Sequence, residues 1–242
     1  MLELISSVKP DIILLQEIKC TENEFPLLYE KKGYRSIITG QKGRHGVAIL
    51  IKEGINYIPL KFESSILNQE ARICGIKLPD NLELNLINVY TPNGNPLENK
   101  EKINFKVKWI NELTKVVQAL RNKYCNVIVA GDFNVLENSK DVKDFQNWQD
   151  DALGNIEIRR QFRKILKTGL SNIVRLFKKP GENFSFWDYQ KACWDRNYGL
   201  LIDHFLTSPK ILQLIENISF ENRFRGMEKP SDHIPVCIKL NI

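Results

Sequence analysis

Three short strings in this chain carry side chains able to do chemistry: Gln16-Glu17, Gly131-Asp132-Phe133-Asn134 and Ser231-Asp232-His233. Each lies where an apolar run begins or stops. Strand ends are stiff and face solvent, which is where an enzyme built on sheets mounts its reactive groups. Taken alone, Glu17 is an ordinary strand-end charge; its chemical reading is an oxygen ligand for Mg²⁺ or Mn²⁺, which prefer hard donors. Asp132 and Asn134 flank Phe133, so on an extended backbone both point to one face while the ring points to the other. Turn capping by Asp and Asn is common. The alternative is that Asp132 orients or deprotonates a water while Asn134 donates to a phosphate oxygen. Gly131 lets the backbone bend or a ligand approach.

Asp203 is the sharper anomaly, because it interrupts the apolar run from Leu200 to Leu206. A buried carboxylate needs a partner. His233 is the natural one, since a carboxylate fixes an imidazole's tautomer and keeps it protonated near neutral pH. His204 is its neighbour in sequence but points to the opposite face of a strand, so it reads as structural. His45, in a glycine-rich stretch, reads as surface. The aromatics Phe184, Phe186, Trp187, Tyr189, Trp194 and Tyr198 either pack a loop on the core or line a pocket for a sugar or base.

These groups need a frame. Asp11 to Gln16, behind Pro10, is almost wholly apolar and predicts a strand buried on both faces. Strands are also predicted over Gly46 to Lys52, Arg72 to Leu78, Leu82 to Tyr90, Asn126 to Ala130, Leu200 to Leu206 and Ile234 to Leu240. A turn at Pro79-Asp80-Asn81 makes the second and third of these a hairpin. Thr21 and Glu24 form a capping-box pattern that predicts a helix from Thr21 to Lys32. Met1 to Leu4 reads as the start of a helix. The stripe Phe105, Trp109, Leu113, Val116, Val117 and Leu120 predicts a helix over Glu101 to Arg121 packed on a sheet, after a loop at Thr91 to Pro96. Ile156 to Leu166 predicts a basic amphipathic helix. Together these imply an α/β sandwich, sheet on sheet with helices outside.

Composition sets the bounds. The chain has 242 residues, 43% of them apolar, which suffices for one large folded domain. Its 35 basic residues exceed its 29 acidic ones by six, a moderate surplus that suits a polyanionic partner and equally a plain soluble protein. Five scattered cysteines include no C-x-x-C pair, which argues against structural zinc and against a secreted disulfide framework. No apolar stretch reaches the length of a membrane span, so no membrane partner is expected. The N-terminus lacks the basic start of a signal peptide, so a reducing cytoplasm is the expected compartment.

Each signal is weak alone, but their joint order is specific. The chain resembles the endonuclease/exonuclease/phosphatase superfamily, and within it the exonuclease III branch of apurinic/apyrimidinic (AP) endonucleases. The resemblance runs over nearly all of residues 1–242. It rests on Lys9-Pro10-Asp11 through Glu17 with Lys19-Cys20; on Gly46-Val47-Ala48-Ile49; and on Asn88-Val89-Tyr90-Thr91-Pro92-Asn93-Gly94. It rests further on Gly131 to Asn134, Ser185-Phe186-Trp187-Asp188-Tyr189 and Met227 to His233. The resemblance implies a single domain with a four-layered, DNase I-like fold: two packed mixed sheets flanked by helices. It implies a monomer that cuts double-stranded DNA 5′ to abasic sites and trims 3′ ends, with Mg²⁺ or Mn²⁺. Tyr90 and Asn134 would bind the scissile phosphate, Asp132 would position the attacking water, and His233 paired with Asp203 would neutralise phosphate charge. Glu17 would hold the cation, with Asp132, Asn134, Asp232 and His233 beside it. Phe186, Trp187 and Arg72 would line the pocket for DNA and the flipped, base-free sugar.

Two departures accompany the resemblance. Relatives begin with a strand that carries an asparagine into the site, and this chain starts after it, which implies an exposed strand edge. Relatives also often carry arginine where this chain has Gln190 and Leu201, which removes possible phosphate contacts. The alternatives to the nuclease reading are a DNA-binding remnant without cleavage and a phosphatase on the same fold.

Overall fold

Val47 to Ile51 is an unbroken β-branched and aliphatic run with no exposed surface, as a strand covered on both sides requires. It forms β3 (Val47–Lys52), the middle strand of an antiparallel sheet with β1 (Ile12–Gln16) and β2 (Tyr34–Thr39) in the order β1-β3-β2. The computed structural model describes residues 1–80 and 82–242. The larger sheet contains β4 (Ile58–Pro59), β5 (Ile73–Leu78), β6 (Leu84–Tyr90), β7 (Val127–Asp132), β8 (Ser171–Asn172) and β9 (Asp203–Thr207). Its order is β4-β5-β6-β7-β9-β8, with β6 and β7 parallel and the other neighbours antiparallel. A further pair, β10 (Ile215–Phe220) and β11 (Val236–Leu240), is also antiparallel.

The large sheet buries one face against β1, β3 and β11, through Ile49, Ile51, Ile76, Leu86 and Ile128 with Leu14 and Ile238. Its other face packs on α2 (Lys100–Lys123) and α3 (Ile156–Leu166), through Val89, Trp109, Leu113, Val129, Phe162 and Ile165. Of three shorter helices, α1 (Leu2–Val8) covers the outer face of the small sheet through Ile5 with Ile13, Ala48 and Leu50, α4 (Ile173–Phe177) packs with β10 through Ile173 and Val174, and α5 (Pro209–Leu212) adds Ile211 to the core between the sheets. The expected sandwich is therefore present. Only the large sheet is mixed, and the opposing layer is antiparallel and split in two pieces.

One buried amide ties the layers together. Asn88 on β6 donates to the carbonyls of Leu15 and Ala48, both at 2.9 Å, and accepts from Gln16 Nε2 at 2.6 Å. All its polar atoms are thereby satisfied, which a fully buried amide requires.

Helix ends follow local chemistry. Asn99 caps α2 by accepting from the Lys102 N–H, and Asn155 caps α3 by accepting from the Glu157 N–H. The helix expected over Thr21 to Lys32 does not form. The capping contact is made, from Thr21 N to Glu24 Oε2 at 3.0 Å. The segment breaks into two 3₁₀ turns, Glu22–Glu24 and Glu30–Lys32, because Phe25 precedes Pro26 and takes extended angles. The expected last strands start late, at Asp203 and Val236. The β5–β6 hairpin is present, while its predicted turn at Pro79-Asp80-Asn81 includes Asn81, which lies outside the described residues. The five cysteines are free thiols, and no described helix is long and apolar enough to cross a membrane.

Candidate active site

The strand register draws the site together. Tyr90 at the end of β6 pairs with Asp132 at the end of β7, and Asp132 pairs with Asp203 at the start of β9. Residues paired across strands point to the same face, so a tyrosine and two carboxylates stand in one row along the sheet's end. Two hydrogen bonds extend the row. The Tyr90 hydroxyl donates to Glu17 Oε1 at 2.5 Å, and His233 Nδ1 donates to Asp203 Oδ2 at 2.9 Å. Glu17, Tyr90, Asp132, Asp203 and His233, spread over most of the sequence, thus form one continuous line of side chains.

The backbone around Asp132 leaves little freedom. Gly131 has φ +134°, and a Cβ there would stand 2.1 Å from the Val89 carbonyl oxygen; only glycine allows β7 to lie that close to β6. Phe133 points away into the core beneath the sheet. Asn134 turns to φ 49° and holds both oxygens of Asp132, its N–H donating to Oδ1 at 2.8 Å and its Nδ2 to Oδ2 at 2.9 Å. Nδ2 also donates to Thr91 O at 3.0 Å, and Oδ1 accepts from Asn93 at 3.2 Å. The amide is 4% exposed. Both its donors are engaged within the protein while its oxygen keeps one lone pair, and in this structure Asn134 orients Asp132.

Electrostatics separate the remaining roles. Burial pushes the Asp132 carboxyl up to about 7, helped by Asp203 and opposed by His233, the Asn134 N–H and Lys106. Burial alone would depress His233, but the charge and hydrogen bond of Asp203, with Asp132 and Asp232 beyond, raise it to about 10. Its protonated form is a cationic donor, and the metal contact expected of His233 would need the neutral ring. Burial works against the Glu17 carboxylate too, yet the Tyr90 hydroxyl and Lys19, 2.9 Å away, hold its pKa below the usual range. Glu17 and Lys19 both sit at φ 53°, left-handed angles that a non-glycine residue adopts at a cost of about 1–3 kcal/mol. The strain turns this strand end toward the row. Tyr90 keeps its proton and points it at Glu17, so in this structure the tyrosine steadies the carboxylate.

Two pocket expectations change. Phe186 does stand at the site, its ring 5.0 Å from that of His233 and its backbone bridged to both Leu200 and His233. Trp187 alternates to the other side, where its ring is buried against Phe184 and Trp194 and its Nε1 donates to Asn197; it is core, not pocket. Arg72 is 6% exposed. It pairs with Glu70 at 2.5 Å, donates to Tyr90 O at 3.3 Å and lies over the Tyr90 ring at 4.7 Å. It braces Tyr90 from below and has no face toward a pocket. His45, read as surface, joins this brace 3.4 Å from Arg72 and 3.5 Å from Glu70. His204 is structural as expected, held by Asn172 at 3.0 Å and Val135 O at 3.0 Å.

Among the described residues, no three His, Cys, Asp or Glu side chains close into a preformed metal cage. The donor set still suits a hard cation. Glu17 is ionised and its side chain is 44% exposed, and Mg²⁺ is commonly held by one or two carboxylates while the rest of its shell stays water. Asp232, partly exposed beside His233, is available as a second.

Lys106 went unnoticed in the sequence. It falls on the same helical face as Ile110, Leu113 and Val117, and a lysine on a buried face was the available signal.

Comparison with known proteins agrees with this geometry. The Endonuclease/Exonuclease/phosphatase family matches residues 1–233. The exodeoxyribonuclease III of Haemophilus influenzae is 30% identical over 242 residues, 96% of this chain and 91% of that protein. Among solved structures, an AP endonuclease from Archaeoglobus fulgidus superposes with a TM-score of 0.91 at 26% identity, covering 100% of this chain and 93% of the other. A 3′ phosphatase from Neisseria, bound to a product DNA hairpin, gives a TM-score of 0.89 at 27% identity with the same coverage. The row at the strand ends and these likenesses lead to one conclusion: the chain is a hydrolase of the exodeoxyribonuclease III kind and belongs to the endonuclease/exonuclease/phosphatase family.

Proposed function

We propose that this protein is a divalent-cation-dependent DNA repair nuclease that hydrolyses the phosphodiester 5′ to abasic sites in duplex DNA and also trims blocked 3′ ends. The observation that carries the reading is the line Glu17–Tyr90–Asp132–Asp203–His233. It joins a hard-cation ligand, a carboxylate poised to take a proton and a cationic donor at the end of one sheet. Hydrolysis of a phosphodiester needs a cation on a phosphate oxygen, an activated water and charge stabilisation in the transition state. Glu17 and Asp232 would hold the cation, which when bound would neutralise phosphate charge. Asp132, with a pKa of about 7, takes the proton of the attacking water. His233, protonated through Asp203, donates to a phosphate oxygen as negative charge grows there. Phe186 stands where the extruded sugar of an abasic nucleotide would rest. The free cysteines fit a reducing cytoplasm.

The test is incubation of the purified chain with an abasic-site duplex and, in parallel, with a 3′-phosphorylated duplex, with Mg²⁺ and with chelator. Mg²⁺-dependent nicking is the expected result. Release of phosphate from the 3′ end without nicking would select the phosphatase reading, which the likeness to the Neisseria 3′ phosphatase motivates. Salt-dependent binding of the duplex with no hydrolysis of either substrate would leave a DNA-binding remnant.

A further inference from the structure

Lys106 has no exposed surface. Its ammonium group is met by three backbone carbonyls, Asn93 O at 2.8 Å, Asn134 O at 2.7 Å and Ala152 O at 3.2 Å. An ammonium has three hydrogens, so every donor is used. The acceptors are carbonyl dipoles and not carboxylates; Asp132 and Asp151 act on it only through space. Burial pulls the Lys106 pKa down to about 7 against the opposing pull of Asp132 and Asp151, a penalty that an aliphatic side chain on this face would not meet.

The three carbonyls come from three separate segments: the loop after β6, the turn after β7 and the approach to α3. Other contacts lock the same segments to one another. The Asn93 side chain donates to Asn134 Oδ1. Asn95 accepts from the Ala152 N–H at 2.9 Å and donates to Asp151 at 3.0 Å. Gly94, at φ +88°, lies so close that a Cβ would stand 2.8 Å from Lys106 Cδ. The Asn134 end matters most, because that residue sits at a left-handed φ and grips both oxygens of Asp132.

We propose that Lys106 is a positioning residue for the hydrolytic reaction: its ammonium pins the turn at Asn134, and through that turn it fixes the direction in which Asp132 presents its carboxylate. The proposal rests on the nuclease reading for its substrate and on the geometry above for its mechanism. A misplacement of about 1 Å at a reacting group can cost on the order of a hundredfold in rate. Substrate binding, which relies on surfaces elsewhere, should be spared.

The experiment uses Lys106→Met, which keeps the stem and removes the ammonium, and Lys106→Ala, which leaves a cavity facing the three carbonyls. Each is measured for melting midpoint and for kcat and KM on the substrate that the wild type cleaves. For Lys106→Met, assayed well below its melting midpoint, kcat is expected to fall by at least about tenfold with KM within about threefold. For Lys106→Ala, added n-propylammonium should restore part of kcat, and propanol of the same length should not. A wild type that cleaves nothing counts against the nuclease reading. An active wild type with unchanged kcat in a folded Lys106→Met overturns the positioning role. So does a loss confined to KM, a rescue by propanol equal to that by the amine, or a failure of both variants to fold even with the amine present.

Discussion

Replacing Asp203 with asparagine isolates the electrostatic half of the site from its geometry. The amide of the Asp203→Asn variant would still offer an oxygen to His233 Nδ1, which in the wild type lies 2.9 Å from the carboxylate, so the ring keeps its place and loses only the neighbouring charge. In the wild type that carboxylate overcomes the depressing effect of burial and lifts His233 from 6.5 to about 10. Without it, burial opposes the weaker pull of Asp132 and Asp232, and the imidazole should titrate at or below its ordinary value. At pH 7.5 a group with a pKa near 6.5 is only about one-tenth protonated, so the rate should drop by about tenfold from protonation alone. The deficit relative to the wild type at the same pH should shrink as the pH is lowered toward 6, while both rates fall there as Asp132, with a pKa of about 7, takes up a proton. The assay is the initial rate of cleavage of a labelled abasic duplex at saturating Mg²⁺ from pH 5.5 to 10. The alkaline limb, near 10 in the wild type, should move down by several pH units in Asp203→Asn. Stability should move in the same sense. A folded-state pKa raised above the unfolded value contributes stability that is complete below about 6.5 and is lost as the pH rises through the folded value. The wild-type melting midpoint should therefore decline between pH 7 and 10, and more steeply than that of the variant. An alkaline limb that stays in place after the substitution would refute the assignment of His233 as an Asp203-sustained cation.

Asp132→Ala should lose about a thousandfold or more in rate while remaining folded. Because burial raises the Asp132 pKa to about 7, the wild type loses stability as the pH rises from 4 to 7. The gap in melting midpoint between wild type and variant should narrow over that range, and a constant gap argues against a raised carboxyl. Gly131→Ala places a Cβ 2.1 Å from the Val89 carbonyl oxygen at a φ of +134°, so destabilisation of about 3 kcal/mol or more is expected in denaturant unfolding; a near-neutral result would mean that β6 and β7 can separate at low cost. Phe186→Ala should narrow the difference in kcat/KM between abasic and undamaged duplex, and unchanged selectivity would remove the ring from the recognition surface.

The parts legible in the sequence were those fixed by short-range pattern. The run Ile12 to Leu15 and the stretch Asn126 to Ala130 are strands because continuous aliphatic residues have no other place to go. Pairing Asp203 with His233 followed from the cost of a lone buried carboxylate, and the two meet. What escaped was set by tertiary register. Trp187 and Phe186 are neighbours in an aromatic string, and only the bridge of Phe186 to Leu200 and His233 decides which ring faces the site. The saturation of Asn134 depends on Thr91 and Asn93, which a loop brings back from another strand. The resemblance puts Arg72 in the pocket, but its bonds to Glu70 and to the Tyr90 carbonyl are set by how β5 and β6 meet. The helix predicted from Thr21 failed on a point the sequence did contain, Pro26, whose effect on the preceding residue outweighed a well-formed cap.

The backbone bridge between Phe186 and His233 has a consequence for how such an enzyme can change over time. On the proposed reading, the ring that would judge the substrate and the group that would answer the phosphate are tethered to each other by one backbone bridge. A mutation that shifts the aromatic wall to admit a different lesion drags the imidazole with it, so new tastes come at the expense of turnover. Descendants that explore other lesions are better served by altering exposed side chains such as Gln190, Lys191 and Asp195, since Trp194 and Asn197 in the same stretch hold Trp187 in place.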